Sequence, residues 1–513
     1  MNDADARMAP GTTMALVAMG LGVLVIANDF TALNVALPAI EQDFDVDIGT
    51  AQWVINAYAL TFGMVIVTGG RLADMFGRRR IFFIGSAIFA AFSVLGGAAQ
   101  DVGWLIATRV GMGIGGAMMW PAILGMTFAA LPASRAGLAG GIILGVAGLG
   151  NALGPLLGGL LTDELSWRWI FFVNVPIAAL AVAVTAAKVH QPAPGAEERR
   201  IDYGGIASLS AGLLFLLLAL DQSADWGWDD WRVVAMLALS AGLIITFGVI
   251  EPRMGSAALI PADIAANRRF TSACVTVLLM SAVFFTIVLY VPQLMEKLLD
   301  YTALEAGVGM LPMLAVFGAV AFFAGRLYER IGGRPVIIAG SVCLALGPFL
   351  LSLFEADSSY GALVPGMIIT GLGVGLFYPS ITTAAVTALD ESRSSLAGGI
   401  VYMFQIAGGA IGLGLTTAIF TTRSEDKLAA EAAEAGSNLT AHQTAILHGD
   451  LAGTDAAAAA LAQLPSGAAD TIRRIVAESF VLGVQTSFRV IAAIALAGLV
   501  IAVFFVRPDQ PDT

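Results

Sequence analysis

Lysine occurs three times in 513 residues, histidine three times and cysteine twice, and charged residues of every kind make up only 12% of the chain. Each scarcity excludes something. Cys274 and Cys343 each sit inside an apolar run, so they read as small hydrophobes and not as a disulfide or a thiolate metal site. His190, His442 and His448 fall between apolar runs without zincin spacing and read as solvated, so no metal site is expected. None of Lys188, Lys297 and Lys427 is followed by serine or threonine, which removes the P-loop and with it an ATP motor. Gly111, Gly113 and Gly116 form a GxGxxG, but inside an apolar run with no strand before it, so no dinucleotide is expected either. No cofactor and no nucleic-acid partner follow from these residues.

What is abundant is apolar surface. The chain is 58% hydrophobic with a mean hydropathy of +0.84, too apolar for a fold that faces water. Its solvent is lipid. A membrane-crossing helix needs about 20 apolar residues. Runs of that kind fall near 14–37, 52–70, 81–99, 102–126, 137–161, 169–187, 204–220, 233–250, 271–292, 306–325, 335–354, 361–378, 396–420 and 480–506. The expected fold class is therefore an all-α polytopic membrane protein of 14 spans, since open sheets leave backbone groups unpaired in lipid and a barrel would show short alternating segments. Residues 1–13 are polar and lack the pattern of a cleaved signal peptide, so the first run is expected to stay as a span.

Arginine and lysine accumulate on the cytoplasmic side of membrane proteins. With the N-terminus inside, seventeen of the 26 basic residues fall in inner connections and seven in outer ones, and four of those seven lie in one long loop where the rule is weak. Both termini are expected in the cytoplasm. The acidic group outside the first span, Glu41, Asp43, Asp45 and Asp47, reads as a solvated loop.

The chain also repeats itself. Leu138-Ala139-Gly140-Gly141-Ile142 returns as Leu396-Ala397-Gly398-Gly399-Ile400, an offset of 258 that also pairs Gly150 and Gly154 with Gly408 and Gly412. GRLADMFGRRR at 70–80 is echoed by GRLYERIGGRP at 325–335. Two six-span halves are implied, with spans 7 and 8 inserted between them, an arrangement that transporters use for alternating access around a central site. The expected organisation is a cytoplasmic tail (1–13), an N-terminal half (14–187), a linker with the two inserted helices and a connection (188–270), a C-terminal half (271–506) and a second tail (507–513). Within the C-terminal half, 422–479 reads as an external loop holding a short helical element.

Two charges sit deep in apolar runs. Asp29 is eight residues before Leu37 and Arg109 eight after Asp101, so at about 1.5 Å per residue both lie about 12 Å below the outer surface. A charge there costs several kcal/mol unless paired or hydrated, which makes both functional candidates. The repeat places Met367 opposite Arg109, so packing alone did not require the arginine.

The string from Gly70 through Arg71, Asp74, Gly77, Arg78 and Arg79 lies where span 2 turns into span 3. Its glycines permit a tight turn and close helix approach, and Asp74 can accept from helix N-terminal amides. It resembles the signature loop of the major facilitator superfamily, and is read as a conformational gate. Span 5, GLGNALGPLLGG, with Gly150, Gly154, Pro155, Gly158 and Gly159, resembles the superfamily's antiporter motif. Asp29 in NDFTALNVALPAI, Arg109 in RVGMGIGGA and the string SWRWIFFVNVP at 166–176 are similar to motifs of its fourteen-span drug:proton antiporter branch.

That resemblance implies a major-facilitator fold, a transporter rather than an enzyme, and export of amphipathic, lipophilic or cationic small molecules driven by a proton gradient without ATP. It implies proton-coupling roles for Asp29 and Arg109. A dedicated exporter of one metabolite or antibiotic would share the same motifs; a lipid or glycolipid transporter would differ by a lateral opening. Candidate cavity residues are Asn34, Trp53, Tyr58, Met112, Gln293, Tyr402 and Gln405. Two departures stand out: Met112 replaces the branch's common glutamine, so any polar contact from that position is expected to be lost, and the second-half loop has Glu329 for aspartate. With arginine favoured over lysine as in GC-rich bacterial genomes, a monomer in the bacterial cytoplasmic membrane, in contact with lipid, is expected.

Overall fold

The computed structural model describes residues 11–189, 201–434 and 466–505. The N-terminal half consists of α1 (Thr12–Phe44), α2 (Ile48–Phe76), α3 (Arg78–Gly97), α4 (Val102–Ala130), α5 (Ala136–Glu164) and α6 (Arg168–Lys188). Next come α7 (Tyr203–Trp226), α8 (Trp231–Met254) and the short α9 (Ala262–Ala266). The C-terminal half consists of α10 (Arg268–Leu298), α11 (Ala303–Gly309), α12 (Leu311–Ile331), α13 (Gly333–Leu351), α14 (Leu363–Val386), α15 (Ser394–Glu434) and α16 (Ser466–Phe505). Among the described residues there is no strand, and fourteen helices are long and apolar enough to cross a membrane, α11 and α12 together making one of them. The tails 1–10 and 506–513, most of the 188–202 linker with His190, and positions 435–465 with His442 and His448 lie outside the described residues. Below, "inner" denotes the end that the arginine distribution assigns to the cytoplasm.

Side-chain caps start many of these helices. Asp47 accepts from the Thr50 amide at 2.9 Å and Asp101 from the Trp104 amide at 2.8 Å, filling donors that a helix N-terminus leaves open. The bonds from Thr50 hold the Asp47 carboxyl below its ordinary range. Asp43 pairs with Arg168 at 2.7 Å, so two acids expected to be merely solvated have structural partners.

The expected 422–479 loop is revised. Its described parts continue the flanking spans as α15 and α16, helices of 41 and 40 residues whose outer extensions bury Leu428, Ile472 and Ile475. At 1.5 Å per residue each is about 60 Å long, twice the thickness of the hydrocarbon core. Span 10 is also broken near Met310, where α11, started by a Thr302–Glu305 capping box, gives way to α12.

Both halves pack alike: α5 lies on α1 as α15 lies on α10, and α4 on α2 and α3 as α14 lies on α12 and α13. The glycines of the repeat enforce it. A Cβ on Gly154 would fall 1.9 Å from Thr31 Oγ1, and one on Gly158 2.2 Å from the Ala32 carbonyl oxygen; in the second half, Gly408 and Gly412 press as closely on Leu278 and Ala282 of α10. Small residues let backbones approach where lipid provides no hydrophobic drive between helices. The halves meet along two seams, α5–α12 and α2–α15. The inserted helix α7 lies across the second, touching both α2 and α15, while α8 packs behind it and exposes Val234, Leu239, Ile245 and Val249 to lipid.

A side chain at position 158 therefore has no room, whereas Gly248 on α8 has nothing within 4 Å of an added Cβ. Gly158→Val is expected to lower the thermal transition of the detergent-solubilised protein, with an overpacking cost of about 1–3 kcal/mol, and Gly248→Val to leave it unchanged; scanning fluorimetry of both variants checks this.

Candidate functional site

The N-terminal half closes around a polar cluster in an otherwise apolar interior. Arg109, on α4, is fully buried, and its Nη1 donates to Asp29 Oδ2 on α1 at 2.5 Å. Its Nε donates to the Val54 carbonyl on α2 at 2.7 Å, and its guanidinium lies 4.3 Å from the centre of the Tyr58 ring, a cation–π contact strengthened by the dry surroundings. The other Asp29 oxygen accepts from Asn174 Nδ2 on α6 at 3.2 Å; the same amide reaches Ser93 Oγ on α3 at 3.3 Å, and Ser93 donates to the Phe171 carbonyl at 2.8 Å. Five of the six helices of this half thus converge on one ion pair. Arg109 Nη2, the Tyr58 hydroxyl and Asn28 Oδ1 are buried without a protein partner.

Sequence reasoning found Asp29 and Arg109 but not the groups that orient them. Asn174 had a signal, a lone amide in an apolar span two residues before Pro176; Ser93 had none. Two expectations are corrected. Met112 does contact Arg109, its thioether sulfur accepting from Nη1 at 3.6 Å, because a soft sulfur takes a weak hydrogen bond where an amide would take a strong one. Met112 and Tyr58, placed among the cavity residues, are 0% exposed and wrap the arginine instead.

The other cavity candidates are dispersed. Asn34 is exposed near the outer end of α1 and donates within its own helix, to the Phe30 and Thr31 carbonyls. Trp53, Gln293 and Gln405 are partly buried on α2, α10 and α15. Tyr402 of α15 meets Trp120 and Phe62, with ring centroids 4.7 and 5.6 Å away, forming an aromatic layer across the seam. A further polar pair, Asn56 of α2 donating to Asp221 of α7 at 2.9 Å, ties the inserted helix to the first half. Of the span 5 residues, Gly150, Gly154 and Gly158 face α1, while Pro155 and Gly159 approach Gly307 and Leu304 of α11.

The signature loop joins the halves at their inner ends. Asp74 accepts from the Ser395 and Leu396 amides at 3.3 and 2.7 Å, at the N-terminus of α15 where open amides and the helix dipole favour a negative charge. Gly70 presses on the Ser395 carbonyl, and Gly77 turns the chain at φ +103°, a conformation that favours glycine. Arg78 bonds Asp74 at 3.1 Å, the Gly125 carbonyl at 3.0 Å and the Glu391 carbonyl. Arg79 instead donates to Ala186 and Val189 carbonyls at the end of α6, within its own half. Arg71 points toward the inserted pair, lining a small cavity with Thr68, Met75 and Asp202.

The departure at Glu329 proves to be a conserved geometry in a longer side chain: its Oε1 accepts from the Leu138 amide at 2.8 Å, and Leu138 is the repeat partner of Leu396. Gly332, at φ +84°, is likewise the partner of Gly77. Each half thus places one carboxylate on the same helix start of the other. In the second loop Gly333 stands at the position that Arg78 holds in the first. Among the described residues, no three His, Cys, Asp or Glu side chains gather as a metal site.

Duplicated six-helix halves, crossed inner locks and a buried ion pair in lipid define a polytopic membrane transporter. The chain belongs to the Major Facilitator Superfamily, whose family model matches residues 19–413. It is 29% identical over 497 residues, 97% of this chain and 92% of the relative, to the tetracenomycin C resistance and export protein of Streptomyces glaucescens. It is 33% identical over 446 residues, 86% of this chain and 87% of the relative, to the puromycin resistance protein pur8 of Streptomyces alboniger. With the multidrug transporter protein MdtP of Bacillus subtilis it shares 29% over 417 residues, 81% of this chain and 76% of the relative. The fold matches the human organic anion transporter MFSD10 with a TM-score of 0.63 at 12% identity, covering 96% of this chain and 100% of that one.

Removing one partner of a buried ion pair strands the other charge, at a cost of about 3–5 kcal/mol. Asp29→Asn is accordingly expected to destabilise the protein, and the double variant Asp29→Asn/Arg109→Met to recover most of the loss; a double-mutant cycle of unfolding temperatures measures the coupling. At the inner locks, hydrogen bonds to a charged group contribute about 1.5–3 kcal/mol each. Asp74→Ala should widen the distance between spin labels at the exposed positions 80 and 392, and Glu329→Ala, which breaks a single bond, should do so less.

Proposed function

We propose that this transporter is a proton-coupled antiporter that exports amphipathic small molecules by alternating access, with Asp29 carrying the proton and Arg109 controlling its charge state. The observation that carries the reading is the Asp29–Arg109 contact of 2.5 Å at complete burial. A carboxylate and a guanidinium in contact inside an apolar bundle each depend on the other for charge compensation, so protonation of Asp29 and displacement of α1 against α4 are coupled in this proposal. In the proposed cycle, Asp29 takes a proton from outside while the inner locks hold. Its negative charge is then lost, and the bond to Arg109 weakens. The guanidinium stays on Tyr58 and Met112 while α1 is released from it, the locks at Asp74 and Glu329 part, and the proton leaves inward as cargo binds. The gradient supplies the work, and ATP takes no part.

A second reading, export of one antibiotic or metabolite, is supported by relatives whose names specify tetracenomycin C and puromycin. It keeps the same proton chemistry and changes only the cavity. Tyr402, Gln293 and Gln405, partly buried on α15 and α10, are the residues proposed to face that cavity. The orientation proposed is both termini in the cytoplasm, and the working unit a monomer.

Uptake of a cationic dye into inverted vesicles with an acidic lumen tests the proposal. The wild type should move dye only with the gradient, and Arg109→Lys, which keeps the charge but not the fork that reaches both Asp29 and Val54, should lose at least tenfold. Gradient-driven dye movement of wild-type rate in Asp29→Asn would remove Asp29 from the mechanism; failure of any dye to move, with a single antibiotic transported, would favour the dedicated exporter.

A further inference from the structure

The inserted pair carries two acids that the transport cycle leaves unused. Asp202, the N-cap of α7, and Glu251, in the last turn of α8, are 3% and 7% exposed. One oxygen of each is satisfied, Asp202 Oδ1 by the Gly205 amide at 2.7 Å and Glu251 Oε1 by the Ile260 amide at 2.5 Å. The remaining oxygens, Asp202 Oδ2 and Glu251 Oε2, are buried and have no donor. They converge on one point: a Cβ on Gly205 would lie 2.4 Å from the first and 2.8 Å from the second, and the two carboxyl groups are within hydrogen-bonding reach.

Two carboxylate oxygens are both acceptors, so the contact is repulsive when both groups are ionised and becomes a hydrogen bond when one proton sits between them. Carboxyl groups that share a site in this way titrate as a pair. Arg71 of α2 is the charged side chain facing them from the neighbouring helix, lining the same cavity with Thr68, Leu72 and Met75. The connection after α8 faces them with the Ile260 amide, Ala257 and Leu259, which bring no charge. A divalent cation wants about six oxygen ligands, which an arginine and apolar walls do not supply.

We propose that Asp202 and Glu251 form a carboxyl dyad that binds one proton at the inner end of the inserted helices and, in doing so, holds α7 and α8 together against the inner lock. The mechanical link runs through the connection that Glu251 anchors. Beyond Ile260, Asp263 pairs with Arg393, whose neighbour Glu391 offers its carbonyl to Arg78, and Asn267 donates to the Ala388 carbonyl at 2.9 Å. On the other side α7 grips the first half, Ser210 donating to the Met64 carbonyl at 3.0 Å. Loss of the proton places two like charges in contact, parts α7 from α8 and slackens that chain of contacts. This site is separate from Asp29 and stands whether or not Asp29 carries the transported proton.

The test uses the full chain in lipid nanodiscs, with Asp29 untouched. Infrared spectra of the wild type are expected to contain a carbonyl band from a protonated carboxylic acid that disappears on alkalinisation. That component should be missing from both Glu251→Gln and Asp202→Asn, because the new amide donates to the surviving carboxylate and no proton is needed; asparagine also keeps the α7 cap. Spin labels at the exposed positions 203 and 253 should move apart on alkalinisation in the wild type and stay at the closer distance in Glu251→Gln. Absence of the band from the wild type, its survival in both variants, or a label distance independent of pH overturns the proposal, as does a thermal shift from calcium or manganese that either substitution abolishes.

Discussion

A guanidinium and a carboxylate in contact inside a lipid-embedded helix bundle impose a condition on everything around them. Neither charge tolerates the apolar interior alone, so each position that could let them separate is held: Val54 fixes one edge of Arg109, Tyr58 covers its face, and Asn174 and Ser93 fix the far oxygen of Asp29. Because those groups come from five helices, the charge pair sets how the N-terminal half is assembled. The glycines of α5 hold α1 in position for the pair, packing against its backbone at Thr31 and Ala32. Buried ion pairs are poor sources of stability. Here the pair acts as the point on which five helices are oriented, since each of its open edges is met by a different one.

The second half shows what the same architecture looks like without that demand. The glycines that press on Ala27 and Thr31 in α1 have partners that press on Leu278 and Ala282 in α10, which makes Met280 the packing counterpart of Asp29, as Met367 is of Arg109. Both methionines are fully buried. One half thus holds charge where the other holds flexible apolar side chains. The inner contacts, by contrast, are kept in both halves, each placing a carboxylate on the partner's helix start.

The spans, the duplication and the two intramembrane charges were legible because each leaves a local trace: apolar length, a repeated string at fixed offset, a charge where lipid should be. Partners were less legible. Ser93 and Asn174 are 81 residues apart on different helices, and nothing in either neighbourhood specifies the other. Glu329 looked like a departure because identity was compared and reach was not. The extensions of α15 and α16 read as a loop because hydropathy scores a helix that leaves the membrane as polar sequence; the buried face at Leu428, Ile472 and Ile475 is too sparse to stand out among alanines.

The inserted helices cover one seam and leave the other bare, and this makes the two flanks of the transporter mechanically unequal. Along α2–α15, α7 lies as a strap of protein across the seam. Along α5–α12 neither inserted helix packs. Were the halves to move against each other, bilayer thickness and lateral pressure would bear directly on that flank and through α7 and α8 on the other, so that a change of lipid would act on this molecule as an unequal torque.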